Sequence, residues 1–313
     1  MPDVVALGEV LIRLTAPSGM SLENVSSLLV HAVGSESNVA IGLARLGRSV
    51  GWISFVSNSP LGRMAIDSVR LHGVDTRGVV IVPEARTGLY FVELASPPRP
   101  ATVLYDRARS AFALGKPDQV GWEVLDGAKL FHVSGVSLAV NPSLVSRALA
   151  EAHQRGIAVS FDVNYRSKLW TPDSAREALA AVLPGAALAI CTAEDARYLF
   201  ECKGSAEEMA HTLRTRFGVQ TMVVTDADRG AVAVGEAGVF QAGGHKITVI
   251  DRIGAGDAFA AGFIDGYLSG DVEYGLKQGL ALAALKHSFL GDIPWVTKKE
   301  LQGLIDGVHE PWR

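Results

Sequence analysis

The stretch "LAEAHQRGIAVSFDVN" (residues 149–164) reads as the end of an amphipathic helix, a glycine, and an apolar run that closes on a carboxylate. Gly156 falls where a helix should stop, because glycine takes the left-handed conformation without a Cβ penalty. The run behind it is nearly all apolar, as expected for a strand covered on both faces. The same unit recurs as "IGLARLGRSVGWISFV" (41–56) around Gly47 and "TLRTRFGVQTMVVTD" (212–226) around Gly218. Helix and strand are read as alternating to the end of the chain. This predicts an α/β fold, a doubly wound, mostly parallel sheet whose ligands gather outside the carboxyl ends of its strands.

Two segments break the rhythm. Residues 11 to about 33 hold no convincing helix, and "RTGLYFVELASPPRPATVLYDRARS" (86–110) reads as two alternating strands around a Pro-rich loop. Alternation implies one face packed or liganded and the other solvated. Both segments are expected to form a small β-sheet lid, inserted into a single domain spanning 1–313.

Composition narrows the function. Hydrophobic residues make up 48% and charged ones 20% of the 313 residues, which is globular, and the net charge of −4 with no Lys/Arg run argues against nucleic acid. Cys191 and Cys202 are too few for a disulfide framework, and the eight histidines show no ligand spacing. The start "MPDVVALGEVLIRL" lacks a basic region and cleavage site, and Pro184-Gly185 interrupts the longest apolar tract. A cytoplasmic protein without membrane contact is expected.

"DRIGAGDAFAAGF" (251–263) carries the chemistry. Backbone N–H groups of the Gly254-Ala255-Gly256 turn can point into one concavity, continued by the free N–H groups of the helix that follows. That is an anion site built from main chain alone. Asp257 beside it suits the orientation of a hydroxyl toward a terminal phosphate. The helix N-terminus is expected to favour its charged form and so weaken it as a base, which loose phosphoryl-transfer chemistry tolerates. The bland alternative is that Asp257 merely caps the helix. No GxxxxGK[ST] motif competes, since Gly115-Lys116 runs into Pro117, and no GxGxxG follows the first strand.

The turn has company. "GEVLIRL" (8–14), "GSESNVAIGLARLG" (34–47), "TGLYF" (87–91), "YDR" (105–107), "DVNYR" (162–166) and "GAGDAFAAG" (254–262) occur in that order. Together they resemble the ribokinase-type (PfkB) carbohydrate kinases, and within them the 2-keto-3-deoxygluconate kinases, across the whole chain. The resemblance implies a ribokinase-like fold, ATP and Mg²⁺ as partners in the reaction, and a sugar-acid substrate. It leaves K⁺ open and implies a homo-oligomer formed through the lid. It implies Asp257 as the catalytic carboxylate and Gly254, Ala255 and Gly256 as the anion hole, with Gly254 and Gly256 also touching the nucleotide. Gly34, Asn38, Tyr90, Tyr105, Arg107, Asn164, Arg166 and Asp292 are implied to contact the sugar. Thr225 and Gly230 are implied to border the nucleotide, Asp195 to reach Mg²⁺ through water, and Asp251 to lie on a monovalent-cation loop.

Side-chain chemistry points the same way. Arg107 and Arg166 offer planar paired donors, which a carboxylate uses and a neutral sugar does not need. Tyr90 and Tyr105 present an apolar face to a carbon skeleton. Leu11 and Arg13 stand where ribose-binding members carry Asn and Asp, which disfavours ribose and nucleosides. Fructokinases usually place an acid where Arg13 stands.

The chain also departs from the family pattern. Val33-Gly34 replaces a double glycine, Ala227 replaces a glycine in "TDADRG", Asn58 replaces a frequent acid, and Thr192…Asp195 stands for Asn…Glu, with Glu194 the alternative carboxylate. Two further readings therefore accompany the main one. They are a kinase for another hexose such as fructose, and a catalytically weak sugar-binding regulatory protein.

Overall fold

The computed structural model describes residues 1–95 and 98–307, so Ser96 and Pro97 of the Pro-rich loop lie outside the described residues. The strands are β1 (Val4–Leu7), β2 (Leu11–Thr15), β3 (Leu29–Val33), β4 (Val50–Ser57), β5 (Asp75–Val82), β6 (Leu89–Glu93), β7 (Thr102–Asp106), β8 (Leu130–Ser134), β9 (Ala158–Asp162), β10 (Leu188–Thr192), β11 (Thr221–Thr225), β12 (Ala231–Gly235) and β13 (Gly238–Ala242). Nine of them form one sheet in the order β13-β12-β11-β10-β9-β8-β1-β4-β5. Pairing is parallel from β11 through to β5, and antiparallel only where β12 and β13 close one edge.

The sheet is doubly wound, as the repeated unit predicts. In β1, Val5 and Leu7 enter one core and Val4 and Ala6 the other. Helices Pro142–Gln154 and Ala206–Phe217 cover the first face, while Ser35–Arg45 and Ala255–Leu268 cover the second. Gly47, Gly156 and Gly218 all take positive φ just past their helices, so the three repeated turns end as glycine allows.

The expected alternation stops early. After β13 the chain builds helices Ala255–Leu268, Val272–Lys286 and Lys298–Ile305, with no further strand among the described residues. The reason is packing. Ala and Gly dominate "AGDAFAAGFIDGYL", and a Cβ on Gly266 would lie 2.3 Å from the Cα of Gly275. The first two of these helices therefore pack almost backbone to backbone, which a β-branched strand sequence could not do.

The four remaining strands form a separate sheet, β3-β2-β6-β7. Tyr90 of β6 stands opposite Tyr105 of β7 in this register. The sheet sits over the carboxyl ends of β1, β8 and β9, since Tyr90, Tyr105 and Leu11 line the same cleft as Glu9, Val136 and Asn164. The strand order reverses between β1 and β8, so this cleft is the topological switch point of the sheet. No described helix is long and apolar enough to cross a membrane.

Candidate active site

Asp257 is not a helix cap. The cap of Ala255–Leu268 is Gly254, at φ 87°, and Asp257 is the third helical residue. Its carboxylate instead accepts from Ser35 Oγ at 2.9 Å and from Asn38 Nδ2 at 2.7 Å. Asn164 Nδ2 in turn donates to Ser35 Oγ at 2.8 Å, which orients that hydroxyl toward Asp257. Asn164 holds this place with φ 36°, a left-handed conformation that asparagine tolerates better than most residues. Three motifs far apart in sequence thus converge on one carboxylate.

The glycine turn is held from behind. A Cβ on Gly254 would lie 2.2 Å from the carbonyl oxygen of Asp292, so both the positive φ and the close approach demand glycine there. Gly254, Gly256 and Asp257 all line a cleft of about 500 Å³. The turn therefore presents the first N–H groups of a 14-residue helix to a space that can take an anion.

The expectation that the helix N-terminus would hold Asp257 in its charged form is corrected by the surroundings. Burial pushes its pKa up to about 6, against the hydrogen bonds from Asn38 and Ser35 that lower it. Desolvation of a carboxylate with almost no water contact outweighs a helix dipole contribution of about 0.3–1 kcal/mol. Asp257 is consequently a better proton acceptor near neutral pH than the sequence suggests.

Two more carboxylates share the cleft. Asp162, the last residue of β9, is pushed up to about 8 by burial and then by the charge of Asp257. Asp195 is raised by burial. Thr192 caps the helix of Asp195 and both line the cleft, whereas Glu194 is exposed and does not. Arg166 opposes the three acids and lowers each of them. No described group of three or more acidic, histidine or cysteine side chains forms a ready-made metal cage. Two carboxylates gathered beside an anion site do fit Mg²⁺, whose charge would favour their ionised forms and which completes its octahedron with phosphate oxygens and water.

The far wall carries residues of the four-stranded sheet and of the segment that follows β7. Tyr90 and Tyr105 stack with centroids 5.7 Å apart, and the guanidinium of Arg107 lies 5.8 Å from the Tyr105 ring centre. Arg107 is paired with Glu9, yet its Nε is buried without a partner. Arg166 donates to the carbonyl of Tyr165, and no carboxylate pairs with it among the described residues. Asp292 also lines the cleft, but its carboxylate is engaged by Arg13 at 2.5 Å and by the Tyr90 hydroxyl at 3.0 Å. Gly34 and Asn38 line the same space.

Other sequence-derived candidates lie elsewhere. Gly230 borders a second cavity of about 650 Å³ with Arg197, Asp226 and Gln241, and Thr225 lines neither space. Asp251 is fully buried against Arg13. Ser35, Asp162, Glu9 and Arg252 line the main cleft without having been singled out. Ser35 and Asp162 stand inside "GSESN" and "DVNYR", so their motifs were visible while their roles depended on contacts across the fold. Arg13 is completely buried beneath the cleft, so it bears on ligand choice only through Asp251 and Asp292.

Comparison with known proteins gives a consistent result. The profile of the pfkB family carbohydrate kinases matches residues 1–296. A 2-dehydro-3-deoxygalactonokinase of Haloferax volcanii is 36% identical over 309 residues, covering 97% of each chain. A 5-dehydro-2-deoxygluconokinase of Shouchella clausii is 31% identical, covering 98% of this chain and 96% of its own. The crystal structure of a 2-dehydro-3-deoxygluconokinase from Thermotoga maritima superposes with a TM-score of 0.92 at 30% identity, covering 97% of this chain and 98% of that one.

Proposed function

Because the chain belongs to the pfkB family of carbohydrate kinases, we propose that it transfers the γ-phosphoryl group of ATP to the terminal hydroxyl of 2-dehydro-3-deoxygluconate (2-keto-3-deoxygluconate) or its galactonate epimer. The observation that carries this reading is the buried Asp257 carboxylate, aimed by Ser35 and Asn38 at the mouth of the Gly254–Gly256 turn and facing an arginine- and tyrosine-lined wall. The relatives named for 2-dehydro-3-deoxy sugar acids support the substrate class.

In this mechanism Asp257 accepts the proton of the terminal hydroxyl as its oxygen bonds to the γ-phosphorus. The bond from that phosphorus to the bridging oxygen breaks, and ADP leaves with the electron pair. The N–H groups of Gly254 and Gly256 face the charge on the transferred group, where fixed donors act without reorganising, while the Ala255 N–H donates to the Arg252 carbonyl at 3.3 Å and closes the turn. Asp162 and Asp195 would hold Mg²⁺, which supplies charge neutralisation to the phosphates. Arg166 and Arg107 receive the sugar-acid carboxylate, Tyr90 and Tyr105 pack on its carbon chain, and Asn164 and Gly34 border it. Closure of the lid keeps water from competing for the phosphoryl group. The nucleotide extends toward the 225–230 turn.

A homo-oligomer through the lid belongs to the same reading, supported by the exposed apolar side chains of Leu29, Val30 and Leu104 on its strands. A cytoplasmic setting fits the two free thiols. The test is ADP release with ATP and Mg²⁺ on 2-dehydro-3-deoxygluconate, its galactonate epimer, 5-dehydro-2-deoxygluconate, fructose, ribose and gluconate, with Asp257→Ala as control. Turnover confined to the 2-dehydro-3-deoxy acids supports the proposal. Equal turnover of fructose, or an active Asp257→Ala protein, overturns it.

A further inference from the structure

The turn that presents the anion site hangs from a buried, charge-balanced cluster. Arg13, at zero exposure, donates to Asp251 Oδ2 and to Asp292 Oδ1, each at 2.5 Å. Lys286, also at zero exposure, sends its ammonium to the carbonyl oxygen of Asp251 at 2.7 Å and to that of Phe289 at 3.4 Å. Two carboxylates thus face one guanidinium and one ammonium, and their formal charges sum to zero.

Both oxygens of the Asp251 carboxylate are engaged. Beyond Arg13, its carboxylate accepts from the N–H of Ile253 at 3.0 Å and of Gly291 at 3.1 Å. Its own N–H and that of Ile250 donate to the carbonyl of His287. The segment 250–253, which leads directly into Gly254, is therefore stitched to the segment 287–292, and Lys286 sits at the join. Helix Val272–Lys286 ends there, so the ammonium also meets the negative end of its own helix dipole.

A hydrated alkali ion exchanges its water for backbone carbonyls and carboxylates in just such a loop. Here those oxygens already face an ammonium. Adding K⁺ would place an unbalanced positive charge beside the buried Arg13 and Lys286, against the equally buried Asp251, which is unfavourable. The residues present do not fit a monovalent-cation site at Asp251.

We propose that Lys286 is an internal cation and a positioning residue. It holds the 251–254 turn, and with it the anion site, so that catalysis needs no added monovalent ion. Its effect reaches the phosphoryl group only through the turn, since Lys286 does not line the cleft. The catalytic part rests on the phosphotransfer reading given above.

The first test uses the unaltered protein in chlorides of K⁺, Na⁺ and tetramethylammonium at equal ionic strength, reading both kcat and the thermal midpoint. We expect kcat to agree within about twofold and Tm within about 1 °C across the three salts. A fall in kcat of about tenfold or more without K⁺, or a rise in Tm of several degrees with it, overturns the proposal. If no sugar is phosphorylated in any salt, the phosphotransfer reading fails, and the Tm series still decides whether a cation binds. The second test is Lys286→Met, which leaves Asp251 and Asp292 with one cation. Its kcat should fall about tenfold or more in tetramethylammonium with sugar affinity little changed, and K⁺ or NH₄⁺ should restore part of it. Undiminished kcat in tetramethylammonium would contradict the assignment. Should this variant not fold, the salt series on the unaltered protein decides alone.

Discussion

Asn38 donates a 2.7 Å hydrogen bond to Asp257 across 219 residues of chain, joining the first turn of one helix to the first turn of another at the same cleft. This contact holds the carboxylate in place and holds its pKa down against burial. Asn38→Ala should therefore move the acidic limb of the kcat/KM profile upward from about 6, and lower kcat/KM at pH 6 by about tenfold. A profile unchanged in position would show that Asp257 is not the titrating group.

Stability should follow the buried acids. Asp162 and Asp257 both bind protons more tightly folded than unfolded, with values of about 8 and about 6. The native state then holds more protons than the unfolded state between the ordinary carboxylate range and about pH 8. Unfolding free energy must fall as pH rises through that window. Asp162→Asn should flatten this slope and raise Tm at pH 8 by about 1.5 °C for each kcal/mol relieved. Thermal melts from pH 5 to pH 8 check it, and a slope of the opposite sign rules out the raised acids as its source.

Arg107 and Glu9 set up a competition at the far wall. Glu9 neutralises Arg107 in the absence of ligand, and a substrate carboxylate must displace or share that pair. Arg107→Ala should raise KM for a sugar acid by about 10–100-fold, from the loss of one charge-assisted bond of about 1.5–3 kcal/mol. A neutral hexose should be affected far less. Glu9→Gln should lower KM for the acid, and a KM raised by this change would place Glu9 in direct contact with the sugar.

Gly254 and Gly256 look alike in sequence and differ in space. A Cβ on Gly256 meets nothing of the protein within 4 Å, because that position faces the cleft. Gly256→Ala should melt no earlier than the unaltered protein, since alanine favours a helix by about 0.8–1.0 kcal/mol over glycine. Its KM for ATP should nevertheless rise, because the methyl group occupies the approach of the phosphate. Gly254→Ala should lose both stability and activity, as its Cβ meets the Asp292 carbonyl. Melting curves beside ATP titrations separate the two effects.

Ala227 has φ 48°, a left-handed conformation that a residue with a Cβ adopts at a cost. Ala227→Gly relieves left-handed strain of about 1–2 kcal/mol and gives back part of it in chain entropy. A net gain of about 0.5 kcal/mol, read in chemical denaturation, is expected.

What the sequence by itself determined was local and periodic. Helix–glycine–strand units announced the doubly wound sheet because Gly47, Gly156 and Gly218 must end helices by taking positive φ, whatever packs around them. The "GAGD" turn announced an anion site because unpaired N–H groups at a helix start are a property of the backbone. Tertiary structure decided what no spacing encodes. Whether Asp257 caps its helix or meets Asn38 depends on how two helices come together. Its pKa depends on the water that this meeting excludes, a sum over neighbours from three motifs. The same holds for Arg13, which in sequence stands at a ligand position and in the fold is sealed beneath the cleft between Asp251 and Asp292. Burial and charge pairing are long-range sums, so they became readable only once the chain had closed on itself.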